Sequence, residues 1–513
     1  MHPSQHAATT PEKPAYIMLE TGETVTYAEL DARSNQGAHL LRKIGLRTGD
    51  GIAIFLENHP RYFEILWAAQ RSGLRFTCLS SKLSPDEVEY IVRDSEAKVV
   101  VTSKALVAET LAITSRLPGV SIQIVGEAVE GYPSFEAGRA EMPTSPIADE
   151  SAGRPMLYSS GTTGRPKGVK RAGILDPDIA APHPQAVLGK QLYGWNADIV
   201  YLCPAPLYHA APMNWSMAVH TLGGTVILME RFDAEKALEA IERYKVTTSQ
   251  WVPTHFIRML KLPEEVRKSF DLSSLTNAFH AAAPCPVHVK QQMLAWWGPI
   301  IHEYYGGTEG NGFCAIGPAE WATHPGSVGR SVVGRIRICD DQGEPLPVNS
   351  EGLIYFENGR DFEYHGDPEK TAQSRNAMGW TTIGDVGRVD EDGYLYLTDR
   401  KSFMIISGGV NIYPQEIENV LIEHPQVADV AVVGAPHEEF GEQVVAVVQP
   451  ANWADATPAL AAELIQWVRD RLSHVKTPKR VDFMPELPRH ATGKLHKREI
   501  REQYWKAEDG RRL

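Results

Sequence analysis

The sequence predicts an α/β protein that carries a separable module at its C-terminal end. Apolar strand-like runs alternate with amphipathic helical segments along most of the chain. After Gly352 the pattern changes to short β segments. The 513 residues exceed what one hydrophobic core usually holds, so two or more domains are expected. The boundary of the C-terminal module falls near residues 399–403.

The N-terminal third begins this alternation. Thr26 and Glu29 have the spacing of a capping box, which predicts the start of a helix. The apolar runs 51–56 and 98–102 are typical of buried strands, and the segment 62–70 between them has helical spacing. Strands that alternate with helices in this way indicate an α/β architecture.

The middle third repeats the pattern. Strand-like runs at 224–229 and 247–252 flank an amphipathic helix at 234–244, with Leu238 and Ile241 on one face. The same architecture is therefore expected to continue through this part of the chain.

The C-terminal module has its own set of predicted elements. Pro414 marks a helix start, and two apolar strands follow at 430–433 and 444–448. A second amphipathic helix is predicted at 460–472. Together these elements predict a compact βαββα-like module.

Composition and charge limit the classes of function. The chain is 43% hydrophobic and 22% charged, as is usual for a soluble globular protein. Its net charge of −13 argues against nucleic acid or an anionic membrane as the main partner. No apolar run approaches the thickness of a bilayer, and the N-terminus lacks the apolar core of a signal peptide. The five cysteines are scattered, which favours free thiols in the cytoplasm over disulfides or a zinc site.

A glycine- and hydroxyl-rich stretch at 157–169 is the first candidate site. Its glycines let backbone N–H groups approach a ligand, and Ser160, Thr162 and Thr163 can donate hydrogen bonds to phosphate oxygens. Lys167 adds a mobile positive charge. The stretch lacks the Gly-Lys-Ser/Thr spacing of a Walker A loop. It predicts a polyphosphate cradle, although an ordinary solvated turn would have a similar composition.

Three further segments carry candidate chemistry. In the segment 304–310, tyrosine could stack on a purine, Thr308 could bond a phosphate, and Glu309 could hold Mg²⁺ among phosphate oxygens. Asp385 is suited to accept hydrogen bonds from ribose hydroxyls, and Lys494 lies on a turn close to the C-terminus. Taken singly, these could equally be a glycine turn, a turn-forming aspartate and a solvated lysine.

Taken together, in this order and with these separations, the segments resemble the acyl-adenylate-forming superfamily. That superfamily contains acyl- and aryl-CoA synthetases, adenylation domains of peptide synthetases, and luciferases. The resemblance extends from the segment 26–30 to Lys494. It implies a large multi-subdomain α/β domain with parallel-type sheets at 1–399, a hinge at 400–403, and a small mobile α+β domain at 404–513.

The resemblance also implies roles for individual residues. Lys494 would bridge the carboxylate and the α-phosphate during adenylation, acting with Thr308 and Glu309 as the catalytic residues. The implied ATP and AMP contacts are Ser159, Ser160, Gly161, Thr162, Thr163, Gly164, Lys167, Ala282, Ala283, Pro284, Tyr305, Gly306, Thr308, Asp385, Arg400 and Lys494. The implied metal ligands are Thr162 and Glu309, the acyl-pocket residues are His209, Trp251, His255, His280 and Gly306, and the CoA-tunnel residues are Gly408, Gly409 and Asn411.

One position departs from the family pattern. The hinge residue, two positions after Arg400, is usually aspartate or lysine, and here it is Ser402. A hydroxyl-bearing residue still permits backbone rotation, so alternation of the small domain is expected.

The function that the resemblance implies is ATP-dependent activation of a carboxylic acid and its transfer to coenzyme A, with ATP, Mg²⁺ and CoA required. The aromatic and imidazole candidates suit a bulky apolar acid of fatty, aryl or steroid type. The second hypothesis is an adenylating enzyme that loads a carrier protein, and the third is a non-catalytic nucleotide-binding protein. A CoA ligase is preferred because the chain contains no carrier domain. The expected partners are the acid and CoA, with no nucleic acid and no transmembrane segment, and a homodimer is left open.

Overall fold

The computed structural model describes residues 2–126, 128–159, 166–171, 177–489 and 495–506. The strands of the large domain, numbered in chain order, are β1 (Pro14–Met18), β2 (Thr24–Thr26), β3 (Gly51–Phe55), β4 (Arg75–Leu79), β5 (Ala97–Ser103), β6 (Ser121–Val125), β7 (Arg154–Pro155), β8 (Leu157–Ser159), β9 (Lys167–Arg171), β10 (Val200–Cys203), β11 (Thr225–Leu228), β12 (Thr248–Trp251), β13 (Asn277–His280), β14 (Ile301–Tyr305), β15 (Phe313–Ile316), β16 (Arg330–Val333), β17 (Arg335–Cys339), β18 (Gly352–Glu357), β19 (Phe362–Tyr364), β20 (Thr381–Val389) and β21 (Leu395–Arg400).

The helices of the large domain are α1 (Pro3–Thr9), α2 (Tyr27–Lys43), α3 (Tyr62–Arg71), α4 (Pro85–Asp94), α5 (Val107–Leu111), α6 (Phe135–Ala140), α7 (Pro184–Tyr193), α8 (Ala210–Leu222), α9 (Ala234–Tyr244), α10 (Pro253–Leu260), α11 (Glu264–Lys268), α12 (Val287–Trp297), α13 (Pro318–Thr323) and α14 (Pro368–Gln373). The small domain contains β22 (Ile405–Ser407), β23 (Val410–Ile412), α15 (Pro414–Leu421), β24 (Val427–His437), β25 (Gly441–Pro450), α16 (Pro458–Arg469), β26 (Arg480–Phe483) and α17 (Lys497–Lys506).

Two large sheets form the framework of the large domain. The central sheet has nine strands in the order β16-β15-β14-β13-β12-β10-β11-β1-β2, and the run from β14 to β1 is parallel. A second sheet, β6-β5-β3-β4-β7, is parallel throughout. The predicted α/β class and the predicted parallel-type sheets are therefore confirmed.

The largest core lies between these two sheets. It joins Ile52 and Val99 of the second sheet to Tyr201 of the central sheet, through side chains of α2, α3 and α8. A separate core covers the other face of the central sheet and includes Leu238 and Ile241 of α9, as their helical spacing predicted. The helices therefore form layers between and outside the two sheets.

Local signals located several elements correctly. Glu29 N–H donates to Thr26 Oγ1 over 3.2 Å, and Thr26 N–H donates to Glu29 Oε2 over 2.9 Å, so the predicted capping box begins α2. All residues of β3 are buried, as an apolar strand between helices requires. The helix predicted at 234–244 agrees with α9 at both ends.

The small domain is more elaborate than the predicted βαββα pattern. Its sheet has the order β23-β22-β25-β24, and β26 adds to β25 in parallel. Helices α15 and α16 pack on one face and α17 on the other. The prediction was wrong in omitting a hairpin strand, β26 and α17. The omitted strands are three or four residues long, which is too short for a clear hydrophobic period.

Two smaller sheets complete the large domain. The antiparallel sheet β17-β18-β20-β21 ends beside residues 401–403, where a single 3₁₀ turn leads into the small domain. The sheet β19-β9-β8 contains both strands that flank the stretch 160–166. In the described part of the chain, no helix is long and apolar enough to cross a bilayer.

Candidate active site

The carboxyl edge of the central sheet gathers the predicted site segments. Parallel strands β10, β12, β13 and β14 end side by side, at Cys203, Trp251, His280 and Tyr305. Ligands of open parallel sheets bind outside this edge, because the loops that follow the strands converge there. The segments 281–284 and 306–309 are thus neighbours in space although they are separated in sequence.

Tyr305, Asp385 and Arg400 form a hydrogen-bonded group beside this edge. Tyr305 OH donates to Asp385 Oδ2 over 2.7 Å, and Arg400 Nε donates to Asp385 Oδ1 over 3.0 Å. Asp385 and Arg400 are cross-strand partners of β20 and β21, which fixes the second contact. The Asp385 carboxylate raises the pKa of Arg400, while burial and then Asp385 raise the pKa of Tyr305 well above its ordinary value. Three residues predicted to contact the nucleotide are therefore brought together.

Glu309 is buried close to this group and is held by a residue that the sequence analysis did not identify. Tyr364 OH donates to Glu309 Oε1 over 3.0 Å. The other carboxylate oxygen faces Gly307, where an added Cβ would stand only 2.8 Å from Oε2. Among the described residues, no hydrogen bond reaches Oε2. A carboxylate with one oxygen held by a tyrosine hydroxyl, and the other without a hydrogen bond among the described residues, fits a Mg²⁺ ion shared with phosphate oxygens. Thr308 beside it is half-buried.

The base of the predicted phosphate cradle is a three-stranded sheet. β8 and β9 pair antiparallel, and β19 pairs with the outer side of β9, so that Tyr364 lies opposite Val169. Lys167, at the start of β9, forms an ion pair with Asp367, which also caps α14 through Lys370 N–H. The predicted residues Ser160, Gly161, Thr162, Thr163 and Gly164 and the side chain of Ser159 lie outside what the structure describes.

The predicted adenine segment follows β13 and contains a strained residue. Ala282 has φ of 78°, in the left-handed region that non-glycine residues rarely adopt. Ala282 is exposed, while Ala283 and Pro284 are half-buried. Beneath the segment, Lys290 Nζ of α12 lies 2.7 Å from Glu303 Oε2 of β14, in a fully enclosed ion pair. The pair ties α12, which follows the segment, to β14 of the central sheet.

Three of the five predicted acyl-pocket residues lie close to one another. Trp251, His255 and His280 share one face of the sheet, where Trp251 and His280 are cross-strand partners and both pack near Phe256. Burial and then Arg258 lower the pKa of His255 to about 3, so its ring is neutral near pH 7. The structure therefore brings these three of the five residues together.

The other two pocket candidates lie in segments that follow β10 and β14. His209 is the N-cap residue of α8, whose Trp215 belongs to the core on the opposite face of the sheet. Gly306 is exposed directly after β14. The assignment of these five residues to one acyl pocket stays a prediction.

The small domain presents the predicted tunnel turn to solvent. Gly408 and Gly409 form the two-residue turn between β22 and β23, with φ of 57° and 80°. Positive φ at both positions is the requirement of a type I′ hairpin turn, which glycine meets without strain. Both glycines and Asn411 are exposed.

Contacts between the domains define the orientation of the small one. Lys261 Nζ donates to the carbonyls of Val427 and Ala428 over 3.4 and 3.5 Å. Asp399 Oδ2 accepts a hydrogen bond from Gln415 N–H at the start of α15, over 3.0 Å. Lys494 lies outside the described residues, so its predicted position stays a prediction.

Tyr364 contacts Glu309 and Asp367 contacts Lys167, and neither Tyr364 nor Asp367 is predicted from the sequence. A weak signal was present, because Asp367 followed by Pro368 is the pattern of an N-cap and first helical residue. That pattern predicts a helix start and does not indicate a partner across the site.

Among the residues that the structure describes, no group of three or more His, Cys, Asp or Glu side chains is arranged to hold a metal ion.

Comparison with known proteins identifies the relatives of this site. A feruloyl-CoA synthase of Amycolatopsis sp. is 35% identical over 94% of this chain and 94% of its own length. The fatty acid–[acyl-carrier-protein] ligase ScoC of Streptomyces coeruleorubidus is 32% identical over 98% of this chain and 95% of its own length. The crystal structure of ATP-bound MatB from Rhodopseudomonas palustris superposes with a TM-score of 0.82 at 28% identity, covering 98% of this chain and 99% of that one.

Family models match both parts of the chain. The AMP-binding enzyme model covers residues 4–359, and the AMP-binding enzyme C-terminal domain model covers residues 416–494. The first match alone spans most of the chain and includes the phosphate-cradle stretch, the adenine segment and Glu309. The chain therefore belongs to the AMP-binding enzyme family, the acyl-adenylate-forming superfamily that its motifs resemble.

Proposed function

We propose that this chain is an ATP-dependent ligase that joins a hydrophobic carboxylic acid, of fatty, aryl or steroid type, to coenzyme A. The observation that carries the proposal is the buried group at the carboxyl edge. Asp385 and Glu309 are each oriented by a tyrosine hydroxyl, beside the sheet that flanks the phosphate cradle. One carboxylate is suited to a ribose and the other to a metal–phosphate contact.

The first step would form an acyl-adenylate. A carboxylate oxygen of the acid attacks the α-phosphorus of ATP, the bond to the β-phosphate breaks, and pyrophosphate leaves. Two anions must approach each other, so positioning and positive charge supply most of the catalysis. Lys167 and Lys494 would provide that charge, and Thr308 would donate to a phosphate oxygen. Mg²⁺, held by Glu309 and Thr162 when bound, would neutralise charge on the phosphates.

The second step would form the thioester. The thiol of CoA attacks the activated carbonyl, the bond to the phosphate oxygen breaks, and AMP leaves. No enzyme nucleophile is needed in either step. Gly408, Gly409 and Asn411 would reach the thiol path only after the small domain turns, because they face solvent in the orientation described.

A carrier protein is the alternative acyl acceptor. ScoC, by its name a ligase of fatty acids to an acyl carrier protein, is similar over nearly the whole chain. CoA remains the preferred acceptor, because the feruloyl-CoA synthase is similar at slightly higher identity. The five unpaired cysteines support the predicted cytoplasmic location.

The test is an acid-dependent ATP–pyrophosphate exchange assay with fatty, aryl (including ferulate) and steroid acids. We expect exchange with at least one apolar acid, and AMP release that rises when CoA is added. Stimulation by an acyl carrier protein in place of CoA would favour the alternative. Absence of exchange with every acid in the panel would contradict the proposal.

A further inference from the structure

Tyr364 lies between the phosphate-cradle sheet and Glu309. Its hydroxyl donates to Glu309 Oε1 over 3.0 Å, and the two side chains are 8% and 6% exposed. Tyr364 belongs to β19, nearly two hundred residues after β9, with which β19 pairs. The Tyr364 side chain thus connects the sheet that contains β9 to Glu309, the carboxylate suited to the metal.

The backbone of Tyr364 is fixed independently of this contact. Its N–H donates to Thr371 Oγ1 of α14 over 2.9 Å, and its pairing with Val169 sets its position along the sheet. The Phe362 ring packs edge-on against the Tyr364 ring, with centroids 5.3 Å apart. The hydroxyl is therefore presented to Glu309 from a rigid support.

The hydrogen bond from Tyr364 OH to Oε1 restricts rotation of the Glu309 carboxylate. The other oxygen, Oε2, lies beside Gly307, where an added Cβ would stand only 2.8 Å from it.

We infer that Tyr364 is a positioning residue. It sets the rotamer of Glu309 for the divalent cation that accompanies ATP. Because Tyr364 lies on β19, which pairs with β9, it also keeps that carboxylate at a fixed position relative to the phosphate cradle. The inference rests on the proposed function, because it requires a nucleotide–metal complex at this site. It adds a residue that acts through Glu309 and does not itself touch the ligand.

The experiment measures Mn²⁺ binding in the presence of a non-hydrolysable ATP analogue, by electron paramagnetic resonance. For Tyr364→Phe we expect Mn²⁺ affinity to fall about tenfold, as is usual when an outer hydrogen-bond partner of a metal ligand is removed. The half-saturating Mg²⁺ concentration for pyrophosphate exchange should rise in parallel. Thioester formation from presented acyl-AMP should not change.

Tyr394→Phe is the matched control, because Tyr394 OH donates to Glu320 Oε1 over 3.0 Å elsewhere in the large domain. It should leave Mn²⁺ affinity unchanged. In a Glu309→Gln background, Tyr364→Phe should have no further effect. Unchanged Mn²⁺ affinity in Tyr364→Phe, an equal change in Tyr394→Phe, or additive effects in the Glu309→Gln background would overturn the inference. Because this assay needs no acid, its failure is distinguishable from failure of the proposed ligase activity.

Discussion

The nucleotide side of the site and the tunnel turn of the small domain are built in opposite ways. Glu309 and Asp385 are buried, and each accepts a hydrogen bond from a tyrosine that lies on a strand distant in sequence. Gly408 and Gly409 are exposed, and the neighbouring Ile406 and Val410 are 50% and 44% exposed. The first region is organised before any ligand arrives, whereas the second lacks a partner surface in the orientation described.

This difference separates the two proposed half-reactions in physical terms. Adenylation must hold two anions together, which favours groups fixed in advance on rigid strands. Thioester formation must admit a long thiol, and the exposed apolar side chains around the turn would be covered only when the domain docks again. Mutations in the two regions should therefore affect different steps.

The largest expected effect is on Lys494. Lys494→Ala should reduce acid-dependent pyrophosphate release about a hundredfold or more, equivalent to about 2.7–4 kcal/mol, because one charged donor to the reacting phosphate is lost. Thioester formation from presented acyl-AMP should remain, which single-turnover assays measure. If Lys494→Ala released pyrophosphate at the same rate as the unmodified protein, the role assigned to Lys494 would be contradicted.

Acid should destabilise the large domain through His220. Its Nδ1 accepts from Trp67 Nε1 and its Nε2 donates to the Ala15 carbonyl, so the buried ring is neutral. Burial lowers its pKa to about 3, while the unfolded value is near 6.5. The unfolded state therefore binds the extra proton, and stability falls as the pH drops from 6.5 towards 3.

At pH 5, His220 should lower the free energy of unfolding by about 2 kcal/mol relative to neutral pH. Urea denaturation at pH 7.5 and pH 5 measures it, and His220→Gln should lose that part of the pH dependence. An unchanged pH dependence in this variant would contradict the assignment.

Gly409→Leu should act on the thiol step. We expect single-turnover thioester formation to slow by roughly tenfold or more while adenylation is little changed, because a branched side chain would obstruct the proposed thiol path. Gly119→Leu is the matched control, since Gly119 has a similar positive φ of 83° and open space around it. Equal slowing of both steps would show that the two regions are not separate.

The smallest expected effect concerns Lys167. Asp367→Asn keeps an N-cap side chain for α14 and removes the negative charge that Lys167 faces. Lys167 should then be freer to bind phosphate, and KM for ATP should fall by about twofold to fivefold, the range of a partly exposed ion pair. Asp367→Ala is the comparison, because it also removes the cap. A raised KM in Asp367→Asn would mean that the pair holds Lys167 in place for the nucleotide.

The elements that could be predicted from the sequence are those encoded by local patterns. The capping box at Thr26, the helix 234–244 and the alternation of strands with helices depend on neighbours a few positions apart, and all are confirmed. The partnership of Tyr364 with Glu309 depends on pairing between β19 and β9, which leaves no periodic trace in three residues.

The aromatic residues near the predicted pocket show a second reason why part of the site could not be predicted from the sequence. Trp251 and Trp215 look equivalent in sequence, but Trp251 lies on strand β12 and Trp215 lies on helix α8, and the two pack in cores on opposite faces of the central sheet. The neighbouring Gln250 of β12 bonds Tyr201 and Tyr304 inside the first core. Because Gln250 is polar, a hydrophobic pattern does not show that its side of β12 is buried.

The late strand β19 has a consequence for how the protein is made. Residues 157–171 leave the ribosome long before Phe362–Tyr364, so the hairpin β8–β9 waits with an open edge while much of the large domain is synthesised. Nucleotide affinity should arise only once the nascent chain has passed Tyr364, which makes the ATP site one of the last parts of the large domain to mature.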